Sequence, residues 1–206
     1  MNKIVLAAVG LVSVGILVYS LQGGESEEDY TERILKEREN IRNFMRGSDE
    51  SPFAPDSVQF EELSYYEPNP AYQVTARLER VEDHKLLTLP TSDGKDEKYI
   101  RYGYADFEIG KQPQRLLVLQ PFEQQQPPML FVAFADATSG EETYGGGRYL
   151  NVAMPSRTGQ KSLKLDFNLA YNPYCAYNPT FSCPLPPREN VLDIPIPVGE
   201  KNFDES

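Results

Sequence analysis

The chain has 206 residues, with 31 acidic side chains against 20 Lys and Arg, a net charge of −11 and an isoelectric point near 4.6. That balance argues against partners held through phosphates, so neither nucleic acid nor an anionic lipid surface is expected to bind through charge. The length suits one domain with a real core rather than several.

Ile4 to Leu21 is a run of eighteen uncharged residues. As a helix at ~1.5 Å per residue it reaches ~27 Å, about the thickness of a bilayer's hydrocarbon. Residues 1–21 are therefore read as a transmembrane signal anchor. A signal cleaved after Val18-Tyr19-Ser20 stays open as the alternative. Lys3 precedes the run and Glu25, Glu27, Glu28 and Asp29 follow it. This places Lys3 in the cytoplasm and the folded part on the extracytoplasmic, periplasmic side of a single-pass membrane protein. Residues 22–29 read as an acidic linker, 30–203 as one β-rich domain and 204–206 as a disordered tail.

Tyr30 to Arg46 shows helical spacing, with Tyr30, Ile34, Leu35, Ile41, Phe44 and Met45 on one side. Ser26 or Thr31 is a candidate cap and Gly47 a stop. Arg38 interrupts the stripe, so the helix is expected to lie on the domain rather than inside it. Pro52, Pro55, Pro68 and Pro70 mark Ser48–Pro70 as an extended surface segment. Strand patterns then follow at Tyr72–Arg80, Leu86–Thr91, Lys98–Ile109, Arg115–Phe122, Met129–Ala135, Arg148–Met154 and Ser162–Ala170. Ser92-Asp93-Gly94-Lys95 is a hairpin signal. Arg115–Phe122 and Met129–Ala135 are apolar on both faces, as central strands are. The absence of helical patterns between strands favours a single antiparallel β-sandwich or open barrel. Asp193 to Ser206, with Pro195 and Pro197, reads as an edge strand that then frays.

Chemistry-bearing residues concentrate in the last third. Tyr144-Gly145-Gly146-Gly147-Arg148-Tyr149 lets backbone approach a ligand, although a bulged turn explains it as well. Arg101 and Arg148 are candidate clamps for a carboxylate or phosphate, or else stack on nearby rings. Asp136 is suited to capping the Ala137–Gly140 turn. Asp166 and Asn168 share a strand face. If Asp136 and Asp166 converged, they would make an acid–base pair with Arg148 steadying an anion. His84 sits in a charged stretch and reads as solvated. Cys175 and Cys183 suit a disulfide in an oxidising compartment, because a structural zinc lacks its other ligands, with two free buried thiols as the alternative. No metal and no cofactor is expected.

Thr138-Ser139-Gly140, Thr143–Tyr149, Leu165-Asp166-Phe167-Asn168, Ala170–Tyr177 and Cys183–Pro187, with Asn190 and Gly199-Glu200-Lys201, occur in an order that resembles the bacterial family called domain of unknown function 1684. The resemblance covers Tyr30 to about Phe203 and implies a domain often exported or lipid-anchored, here with an apolar anchor in place of a lipidated cysteine. It implies no activity. The favoured reading is a membrane-tethered binding or accessory module. Its ligand-binding candidates are Arg101, Tyr144, Gly146, Arg148, Tyr149, Asp166, Asn168, Tyr171 and Asn172, and its partner a small molecule, a glycan or an envelope protein. An envelope hydrolase or lyase using Asp136 and Asp166, and a purely structural protein, are the alternatives.

Overall fold

The computed structural model describes residues 25–54, 60, 62–83, 85–122, 128–157 and 159–203. The apolar segment 1–21, His84 and the tail 204–206 lie outside the described residues. Among the described residues no helix is long and apolar enough to cross a membrane.

The helix, α1, spans Glu27–Gly47, so it begins inside the stretch read as linker. Ser26 caps it, accepting the Asp29 N–H at 3.1 Å, and three acids in the first turn complement the helix dipole. Tyr30, Ile34 and Met45 are buried, and so is Arg38, whose guanidinium donates to the carbonyls of Tyr66 at 2.7 Å and Asn168 at 3.1 Å. The cation that broke the apolar stripe thus ties α1 to the body.

Among the described residues seven strands follow, β1 (Gln73–Arg80), β2 (Leu86–Pro90), β3 (Asp96–Ile109), β4 (Gln112–Pro121), β5 (Met129–Phe134), β6 (Arg148–Ala153) and β7 (Ser162–Asp166). They form one antiparallel sheet in the order β6-β5-β4-β3-β1-β7, with β2 on β3. The ends of that order, β6 and β7, come close together, so the sheet curls into a nearly closed barrel rather than two stacked sheets. One edge of β3 serves β2 and then β1, and the register shifts between Arg101 and Gly103. Only glycine fits at 103, because a Cβ would lie 2.5 Å from the Glu79 carbonyl oxygen.

β4 and β5 are apolar on both faces because both faces are covered. Leu116, Val118, Leu130, Val132 and Phe134 point into the inner core, while Leu117, Leu119, Phe131 and Ala133 meet an outer cluster with Tyr149 and Cys183. Residues 171–187 form the strap over that outer face. It is pinned by the Tyr149–Tyr171 and Thr91–Pro184 bridges and by the Tyr149 hydroxyl, which donates to the Pro184 carbonyl at 2.6 Å.

The structure corrects two of the expected strands. The alternation expected to run on to Ala170 stops at Asp166, whose carboxylate accepts the Asn168 N–H and turns Phe167–Leu169 into a 3₁₀ turn. The segment after Asn190 is not a fraying edge strand: Leu192, Ile194, Ile196 and Val198 enter the inner core. Pro195 and Pro197 lack N–H groups, so the segment cannot join a ladder as a regular strand.

Candidate functional site

Arg148 supplies what those prolines withhold. Its buried guanidinium donates to the carbonyls of Ile196 at 2.8 Å, Val198 and Glu200, and pairs with Asp136 at 2.8 Å, both side chains being 0% exposed. Asp136 in turn accepts the N–H groups of Thr138 at 2.9 Å and Ile196 at 3.2 Å. This ion pair stitches the tail into the barrel.

Asp166 is held elsewhere, by the Tyr30 hydroxyl and the Gln73 amide, each at 2.8 Å. Burial, then the Asp166 carboxylate, push the Tyr30 phenol far above its ordinary range. Asn168 exchanges hydrogen bonds with the Asn69 backbone at 2.7 and 2.9 Å. Asp136 and Asp166 therefore have separate partners, and neither lines the pocket between strap and sheet. Asn172 donates its N–H to Glu200 at 3.0 Å and its side-chain amide to the Lys201 carbonyl at 2.8 Å. Burial lifts the Glu200 carboxyl from 4.5 to about 7, against hydrogen bonds from Tyr177 and Asn172 that pull it down. Arg101 meets the Tyr104 hydroxyl and, at 3.8 Å, Glu189.

The glycine run and the strap do meet. Gly147 has φ of +83°, and a Cβ there would lie 2.6 Å from both the Phe134 carbonyl oxygen and Pro186 Cγ. Gly146 lies against the Tyr144 ring, and the Tyr144 hydroxyl is 3.9 Å from Cys175 Sγ. Cys175 and Cys183 are separate thiols rather than the expected disulfide, and the Cys175 N–H donates to Cys183 Sγ at 3.1 Å. Hydrogen bonding between the two thiols lowers Cys175 to about 6 and raises Cys183.

The pocket between strap and sheet has a volume of about 390 Å³. Tyr99, Phe131, Tyr149 and Tyr171 form a chain of ring contacts along one side, with centroids 5.3, 4.8 and 5.8 Å apart. Tyr174 and Phe181 meet edge to face across the strap at 5.3 Å. Glu97, Asn151 and Ser182 bring polar groups to the same lining. Of the residues singled out in the sequence, Tyr149, Tyr171 and Cys183 line this pocket. Tyr99, Phe131, Asn151 and Tyr174 were missed. The first three come together only through strand register, Phe131 pairing with Leu119 on one side and Asn151 on the other.

Residues 58–201 match the model of a family described as protein of unknown function, DUF1684. The chain belongs to DUF1684. Every lining residue of the aromatic pocket falls inside that match, whereas α1 precedes it. A solution NMR structure of an uncharacterized protein from gene locus rrnAC0354 of Haloarcula marismortui is similar to this DUF1684 chain at 35% identity and a TM-score of 0.64. The likeness covers 84% of this chain and 95% of that one. It extends to a haloarchaeon, so the bacterial restriction implied by the resemblance does not hold for similar folds. No curated protein matches the chain.

Proposed function

We propose that this DUF1684 domain is a binding module, tethered on the extracytoplasmic side by residues 1–21, whose ligand seat is the aromatic pocket under the strap. The observation that carries the reading is the pocket itself: about 390 Å³ lined by six aromatic rings together with the polar side chains of Glu97, Asn151 and Ser182, a concave mix of ring surface and hydrogen-bonding groups that suits a small molecule. Tyrosine rings bring large contact area at low entropic cost, and Asn151 and Ser182 can orient a ligand by hydrogen bonds. The charged and amide members of the C-terminal block serve the fold, since Arg148, Asp136 and Asn172 are buried among protein partners.

Protein-observed NMR against a small-molecule library tests the seat. Hits should move the amide signals of Asn151, Tyr171, Tyr174 and Ser182 together; hits that move only signals elsewhere overturn it. For the tether, protease added to spheroplasts, whose outer envelope is opened while the inner membrane stays sealed, should digest the domain while the membrane fraction retains the N-terminal segment. Protection of the domain would sink that half of the proposal.

A further inference from the structure

We infer that the aromatic pocket and the apolar cleft beside it form one two-part site for a small cationic amphiphile, a molecule with an ammonium head and a medium-length apolar chain. This rests on the reading of the pocket as a ligand seat and names its ligand class. The cleft has a volume of about 530 Å³ and shares Met129, Asn151, Tyr171 and Tyr174 with the pocket, so the two spaces abut. Ile41, Phe44 and Met45 of α1 and Leu169 face it, and among the described residues its lining holds no charged side chain. Phe44 is 38% exposed there, an apolar ring left partly open to solvent beside the cleft.

The head end has the opposite character. Among the described residues Glu97 is the one charged side chain in the pocket lining, and the Tyr99 hydroxyl donates to it at 2.8 Å. Phe131 meets Tyr149 at 72° and Tyr149 meets Tyr171 at 88°, so ring faces are presented in several directions. An ammonium is attracted to such faces and to a carboxylate together. An anionic head would find no Lys, Arg or His among the described lining residues, and the net charge of −11 would repel it at long range. Charge complementarity thus selects the head, and the apolar cleft selects the tail.

Titration calorimetry with tetramethylammonium and with hexyl-, octyl- and decyltrimethylammonium below their micelle concentrations tests this. Affinity should rise up to about fourfold per methylene until the cleft is filled. Octyl sulfate should bind at least about tenfold more weakly than octyltrimethylammonium. Glu97→Gln should weaken the octyl ammonium by up to about fivefold while leaving octyl glucoside unchanged. Phe44→Ser should weaken the decyl compound and leave tetramethylammonium unaffected. Glu97 is exposed and Gln keeps an acceptor for the Tyr99 hydroxyl, so an unchanged melting temperature is expected for Glu97→Gln, whereas Phe44→Ser, which removes a ring only 38% exposed, should lower it slightly without loss of the fold. Equal binding of the sulfate, or tightest binding of the glucoside, overturns the cationic head. Affinity independent of chain length overturns the two-part site, yet leaves the pocket reading standing if tetramethylammonium still moves the pocket signals. Failure of every probe overturns this inference, and the pocket reading falls only if the wider library also misses those signals.

Discussion

A guanidinium with no access to water is stable only among acceptors, and Arg148 meets three carbonyls and one carboxylate. Removing one partner of such a pair strands the other charge, which costs about 3–5 kcal/mol. Arg148→Ala should therefore lower the melting temperature sharply, and an unchanged melting curve would contradict the structural role. Glu200 makes a second prediction at this scale. Its carboxyl is lifted from 4.5 to about 7 by burial, so the folded protein holds a proton that the unfolded chain releases at lower pH. The stability this confers is full below about 4.5, is lost as pH rises to about 7 and is constant above it. Denaturant titrations at several pH values should show Glu200→Gln lacking that decline. Parallel curves for the two proteins would refute it.

Strands β4 and β5 share one ladder pair, Leu119 with Phe131, because the Asn190 side chain wedges between them. Its carbonyl oxygen accepts the Leu117 N–H at 2.6 Å, and its amide donates to Leu117 and Ala133 carbonyls at 3.0 and 2.8 Å. The amide thus replaces the peptide group the ladder lacks. Asn190→Ala leaves three buried backbone groups without partners, at about 1–3 kcal/mol each. Urea denaturation should report a loss of about 3 kcal/mol or more; a loss below about 1 kcal/mol would mean that water replaces the side chain. The seven strands were legible from alternation and turn residues, whereas this wedge was not, since Asn190 stands far in sequence from both strands it joins.

The barrel as a whole is closed from within by its own C-terminal segment. Leu192, Ile194, Ile196 and Val198 are each buried in the inner core, and burying such a side chain contributes about 1.5–3 kcal/mol. Four of them rival the total stability of a domain, about 5–15 kcal/mol. A chain ending at Asn190 should lack a cooperative thermal transition and near-ultraviolet circular dichroism. Retention of both would show that the segment only decorates the barrel.

Periodicity, turn residues and motif order are local along the chain, so the β-rich class, the helix before it, most of the strand positions and the family could be read without coordinates. The glycine run and the strap meet where the Tyr144 hydroxyl lies 3.9 Å from Cys175 Sγ. Sorting the polar residues that serve the fold from the rings that face open space took the folded chain. Arg148 and Tyr149 are neighbours in the chain, yet they point to opposite faces of β6, one into the core beside Asp136 and one into the pocket. A period of two separates them, and which side meets the tail and which the strap depends on how the barrel closes.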